Sequence, residues 1–156
     1  QSKCDAVKLE GGSSILKIVH HLIKNKIPVM GHLGILPQSE KGKFKFKGKK
    51  FRERKKILND AILLEKIGVF SIVLECVEKT LSKEITKILK IPTIGIGSSH
   101  HCDGQVLVLD DLIGLNETRI KFVKKFGNIK KNISQAVYRF RKDVLNKKYP
   151  SKKYSY

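Results

Sequence analysis

AILLEKIGVFSIVLECVEKTLSKEITKILKIPTIGI, residues Ala61 to Ile96, contains one full unit of the fold. Its opening keeps apolar side chains at helical spacing as far as Gly68, a residue suited to ending a helix before a strand. Val69–Leu74 then forms a short, β-branched apolar run, Glu78–Leu89 returns to helical spacing, and Pro92–Ile96 is another short apolar run. Strands covered on both faces read in this continuous way, and a helix between two of them predicts a crossover joining parallel neighbours.

The same grammar extends in both directions. Ala6–Leu9 and Ile27–Met30 precede this unit as apolar strand candidates and Gln105–Leu109 follows it, while Ser13–Lys24 and Glu53–Lys66 carry helical periodicity. The predicted order is β-α-β-α-β-α-β-β, an α/β chain built on a parallel sheet. In barrels and doubly wound sheets of this kind, chemistry sits at the ends of the strands. Beyond Gly114, Ile120–Phe126 and Ile133–Leu145 are expected as helices and Asn146–Tyr156 as a loose, basic tail. No internal repeat of fixed period is present.

The chain has 156 residues, about the size of one domain, with 40% hydrophobic residues, enough for a packed core. No run reaches the roughly 18 to 20 apolar residues of a spanning helix, and the first residues lack a secretory layout, so a cytoplasmic protein without membrane partners is expected. Cys4, Cys76 and Cys102 are too scattered for a disulfide framework or a zinc knuckle, which fits a reducing compartment. Lys and Arg number 33 against 14 Asp and Glu, a net charge of +19. Lysine dominates and is spread along the chain, so nucleic acid is expected to bind only nonspecifically, if at all. The densest stretch, KGKFKFKGKKFRERKK (Lys41–Lys56), suits a short Lys/Phe ribbon on RNA about as well as a solvated loop.

Several ionisable residues fall at strand ends. Lys8 and Glu10 lie two apart, hence on one side of an extended strand, just before Gly11 and Gly12. Such a cation and carboxylate can bind a keto acid and a metal, or simply pair with each other. After the second strand, Gly31 and Gly34 let the backbone turn closely around His32, an imidazole that in such a place is more often structural than functional. Glu75 follows Ile72, Val73 and Leu74; facing solvent it is an ordinary strand-end residue, but in a cavity its pKa would rise toward that of a general base. Gly95-Ile96-Gly97 lacks the rest of a dinucleotide fingerprint. His100, His101, Cys102 and Asp103 are adjacent rather than helically spaced, a poor arrangement for one zinc ion.

VKLEGG (Val7–Gly12), IPVMGHLGILPQS (Ile27–Ser39), AILLEKIG (Ala61–Gly68), IVLECV (Ile72–Val77), IPTIGIG (Ile91–Gly97), CDGQVLVLDDLIG (Cys102–Gly114) and KFVKKF (Lys121–Phe126) occur together, in order. Over about residues 4 to 145 the chain resembles the ketopantoate hydroxymethyltransferases. The resemblance implies a TIM-type (β/α)8 barrel, assembled in the family as a homodecamer. The implied reaction carries a hydroxymethyl group from 5,10-methylenetetrahydrofolate to 3-methyl-2-oxobutanoate, giving 2-dehydropantoate for pantothenate biosynthesis. It further implies a Mg²⁺-stabilised enolate, with Glu10 as a metal-associated glutamate, Lys8 in contact with the keto acid, Glu75 as general base and His32 positioning substrate or water.

A complete barrel of this type typically needs about 200 residues or more, and only five strands are predicted here. Residues 1–145 are therefore expected to be the C-terminal portion of such a barrel, with the basic loop 41–56 inside it and a basic tail at 146–156. The family's two principal metal-binding aspartates would belong to strands that this sequence lacks. Leu36, Glu78, Ser98-Ser99 and Asp110 also depart from the family pattern. The competing expectation is an inactive half-barrel acting at most as a basic RNA-binding module. A related Mg²⁺-dependent carbon–carbon lyase shares the enolate logic but not the quoted strings.

Overall fold

The computed structural model describes residues 3–39, 45–117 and 119–156. The chain divides into two compact units, Gln1–Val106 and Leu107–Tyr156.

The first unit follows the predicted order. Its elements are β1 (Val7–Glu10), a 3-10 turn (Ser13–Ile15), α1 (Leu16–Lys24), β2 (Val29–Gly34), α2 (Phe51–Ile67), β3 (Ser71–Glu75), α3 (Lys79–Ile88), β4 (Thr93–Ile96) and β5 (Gly104–Gln105). The five strands lie side by side in sequence order, and every pairing is parallel. This is the arrangement of consecutive βα units and is consistent with part of a TIM-type barrel.

The core forms where one face of the sheet meets the helices. Val29 and Leu33 of β2 and Ile72 and Leu74 of β3 pack with Val19 of α1, Ile57, Ala61 and Leu64 of α2, and Leu81 and Ile85 of α3. The α2 residues recur at intervals of three and four, which puts them on a single stripe. Gly68 ends α2 in the left-handed conformation, its N–H bonding the carbonyls of Glu65 and Leu64. At the start of α3 the Glu78 carboxylate accepts from the amides of Thr80 and Leu81, an N-cap built from one of the residues that departs from the family pattern.

Side chains alternate across a strand, so the core residues leave the opposite sheet face to Lys8, Glu10, His32, Val73 and Glu75. The register sets Glu10 beside His32 and His32 beside Val73.

Several boundaries differ from the sequence reading. β2 runs on through Gly31, His32 and Gly34, because β1 and β3 flank it and supply ladder partners along that length. Its glycines are strand residues, not a turn after the strand. β5 has two residues instead of Gln105–Leu109: its neighbour β4 ends at Ile96, and the last ladder bond runs from Val106 N–H to the Gly95 carbonyl. Of the basic run Lys41–Lys56, residues 41–44 lie outside the described residues. The part from Phe51 onward is already helical, two residues before the predicted start at Glu53.

The second unit holds α4 (Leu109–Leu112) and α5 (Ile129–Leu145). Ile120–Phe126, predicted as a helix, is irregular. So short a segment is marginal as a helix, and the amides of Phe126 and Ile129 bond instead to the carbonyls of Leu112 and Ile113. Asn128 caps α5 by accepting from the amide of Lys131. The tail forms a 3-10 turn at Lys152–Tyr154.

Candidate active site at the strand ends

The four predicted site residues come together on the face opposite the helices. Lys8 Nζ lies 3.1 Å from His32 Nδ1. An ammonium group can only donate, so Nδ1 accepts and the imidazole proton is assigned to Nε2. Nε2 in turn sits 3.2 Å from Glu75 Oε2. That contact does not reach hydrogen-bonding geometry, and Nε2 is a buried polar atom without a hydrogen-bond partner among the described residues. Glu10 completes the group, with Oε1 3.8 Å from His32 Nδ1 and Oε2 accepting the Gln38 amide at 3.0 Å.

These contacts set the charge states. Burial, reinforced by the Lys8 charge and opposed by Glu10 and by a backbone interaction with Ile35, lowers the His32 pKa from 6.5 to about 4, so the imidazole is neutral at physiological pH. Burial raises the Glu75 pKa, and the nearby Glu10 charge raises it further against the pull of Lys8. The site thus combines a cation, a neutral imidazole with a buried N–H, and a carboxylate whose basicity exceeds that of an exposed glutamate. That set can hold an anionic substrate and accept a proton from carbon or oxygen.

The backbone around the site is tightly built. Gly34 has φ near 104°, and a Cβ there would fall 2.0 Å from the Glu75 carbonyl oxygen. Only glycine lets β2 pass this close, which leaves the Ile35 amide free to bond that carbonyl at 2.9 Å.

Two contributors were missed by sequence reasoning. The Gln38 amide holds Glu10, but a backbone donor in an irregular segment leaves no residue-type signature. Asp60 is 3% exposed and accepts from the amide of Ser13 at 3.0 Å, just beyond β1, and from Lys56 Nζ at 2.8 Å. Its signal was available, since an acid at Ile57+3 interrupts the apolar stripe of α2. Asp103, one of the doubtful zinc candidates, instead accepts from the amide and hydroxyl of Thr93. Among the described residues no three His, Cys, Asp or Glu side chains converge as a metal site.

A parallel βα sheet with ionisable side chains gathered at the ends of adjacent strands defines an enzyme-type α/β scaffold, consistent with part of a TIM-type barrel. The profile of the ketopantoate hydroxymethyltransferase family matches residues 1–152, and the chain belongs to that family. It is 64% identical to the 3-methyl-2-oxobutanoate hydroxymethyltransferase of Pelagibacter ubique (strain HTCC1062) over 156 residues, covering 100% of this chain and 60% of that protein. The proteins of the same name from Bdellovibrio bacteriovorus and Clostridium botulinum (strain 657) are 49% and 46% identical over 154 residues, each over 97% of this chain. The chain spans between 56% and 60% of the length of these relatives.

Proposed function

We propose that this chain carries the acid–base and substrate-anchoring part of a 3-methyl-2-oxobutanoate hydroxymethyltransferase. The reaction moves a hydroxymethyl group from 5,10-methylenetetrahydrofolate to the keto acid and yields 2-dehydropantoate. The observation that carries the reading is the 3.2 Å approach of Glu75 to the neutral His32, beside Lys8.

In this reading Glu75 takes the C3 proton of the keto acid. Its raised pKa makes it a stronger base than an exposed glutamate. Lys8 pairs with the substrate carboxylate and offsets negative charge as the enolate develops. His32 presents its Nε2–H to an oxygen of the bound ligand, which satisfies the buried donor.

Glu10 fits Mg²⁺ as a single carboxylate ligand: its side chain is 8% exposed and only Oε2 is held by the Gln38 amide. Mg²⁺ commonly uses one or two carboxylates and completes its shell with water and substrate oxygens. When bound, the ion supplies Lewis-acid polarisation of the keto acid, which makes its C3–H more acidic. A cytoplasmic location and homodecameric assembly belong to the same proposal. No helix among the described residues is long and apolar enough to cross a membrane.

The test is exchange of the C3 proton of 3-methyl-2-oxobutanoate in D₂O, followed by NMR on the full-length protein. Glu75→Gln is expected to slow exchange by about 10² to 10⁴-fold, the range of a lost general base. Exchange at the wild-type rate in that variant removes Glu75 from the role.

A further inference from the structure

The residue after the candidate base is held in an unusual conformation. Cys76 has φ near 50°, in the left-handed region that side-chain-bearing residues seldom adopt. The backbone at this joint is gripped on several sides. The Glu75 carbonyl accepts from the Ile35 amide at 2.9 Å, the Cys76 amide donates to the Ile96 carbonyl at 2.8 Å, and the Cys76 carbonyl accepts from the Lys47 amide at 2.8 Å. The first two grips come from the sheet neighbourhood. The third comes from the segment that precedes α2, where Lys47 forms a parallel bridge with Val77 and returns its own carbonyl to the Glu78 amide at 2.8 Å.

That segment is itself anchored. The Gly48 amide donates to Glu53 Oε2 at 2.7 Å, in the first turn of α2. Gly48 has φ near 87°, and a Cβ there would lie 2.5 Å from Leu81 Cδ2, a side chain with no exposure and so little room to yield.

We propose that Lys47–Gly48 is a positioning strap for Glu75. By binding the carbonyl of Cys76 it holds the left-handed joint and fixes the line along which the Glu75 carboxylate faces His32. Released, the Cys76–Val77 peptide is free to turn, Cys76 relaxes out of the left-handed region, and the joint next to Glu75 gives way, so the carboxylate loses its aim and part of its burial. The strap acts through Glu75 and touches no substrate. Its catalytic consequence rests on the reading of Glu75 as the base.

The experiment compares Gly48→Val, Glu53→Ala and Glu53→Gln with wild type in the full-length chain, and takes Lys49→Gln, an exposed neighbour in the same segment, as control. Two quantities are read: kcat and KM for C3-proton exchange, and the titration of the Glu75 carboxyl by ¹³C NMR, assigned with Glu75→Gln. The charged or titratable groups that act on that carboxyl are Lys8 and Glu10 from β1, His32 from β2 and the adjacent Cys76 thiol. Gly48→Val is expected to lower kcat by about 10 to 100-fold with KM changed less than about threefold, as a misplaced catalytic group does. Its Glu75 titration should move down toward the ordinary glutamate range. Glu53→Ala should shift both readings the same way by a smaller factor. Glu53→Gln, which keeps an acceptor for the Gly48 amide, should restore them, and Lys49→Gln should change neither.

If Gly48→Val fails to fold, the Glu53 pair carries the test. Unchanged kcat and an unchanged Glu75 titration in Glu53→Ala overturn the strap. If the wild type shows no exchange at all, the transferase reading fails, while the Glu75 titration still decides whether the strap positions that side chain.

Discussion

His32 shows how one side chain's surroundings decide what it can do. As a lone imidazole between glycines it suited a structural role in the sequence more readily than a functional one. In the fold, burial and the Lys8 ammonium group keep it neutral, and its buried Nε2–H, without a hydrogen-bond partner among the described residues, becomes the feature to explain. The consequence for stability has a definite sign. The folded-state pKa of about 4 lies below the unfolded value near 6.5, so between those pH values the unfolded chain takes up a proton that the native chain refuses. Stability contributed by the neutral imidazole is present above pH 6.5 and is lost as pH falls to 4, a change on the order of 3 kcal/mol. Urea unfolding of wild type and His32→Gln at a series of pH values measures this, and the difference between the two should shrink or reverse on acidification. Glu75 has the opposite sign. Its raised pKa means that the native state holds the proton longer, so ionising this carboxyl costs stability as pH rises, and Glu75→Gln should stabilise the protein at neutral pH. Same-side placement of Lys8 and Glu10 was legible from strand period alone. Their meeting with His32 and Glu75 was not, because it depends on the register between strands far apart in sequence.

At the scale of elements, local pattern served well wherever burial enforces it. The order of strands and crossover helices followed from apolar runs and from Gly68, since these mark what must leave water and where a helix can stop. The errors arose where pairing or a distant carbonyl decides. β2 is long because it has two neighbours, β5 is short because its one neighbour ends, and Ile120–Phe126 gives its last amide, that of Phe126, to the Leu112 carbonyl instead of to a helix. Asp60 illustrates a tie between elements that no local window contains. The turn leading into α1 lacks a side-chain cap of its own, and the carboxylate arriving from α2 takes the Ser13 amide in its place. Asp60→Ala should therefore destabilise the protein by about 1–3 kcal/mol, the usual range for stranding a buried partner. Chemical denaturation measures that loss. Asp60→Asn, which keeps an acceptor, should lose less. Because Ser13 follows closely on Glu10, the Ala variant should also weaken binding of the keto acid, read as a raised KM.

At the scale of the whole molecule, the net charge of +19 was evident from composition, yet it says nothing of the site, where one ammonium, Lys8, meets two carboxyl groups, Glu10 and Glu75. The site draws on β1, β2 and β3, so its chemistry depends on parallel strands presenting their ends on one side, as barrel-type sheets do. β1 and β5 are the edges of the sheet, and the relatives carry further sequence beyond the match. At the centre of the proposed function, Glu75 removes a proton from carbon in a keto acid held by Lys8. The most direct measurement is deuterium exchange at C3 of 3-methyl-2-oxobutanoate in the full-length protein with Mg²⁺, comparing wild type, Glu75→Gln and Lys8→Met. The account predicts exchange in the wild type, a kcat loss of about 10² to 10⁴-fold in Glu75→Gln, and chiefly a raised KM in Lys8→Met. Exchange that proceeds at the wild-type rate without the Glu75 carboxylate would contradict it.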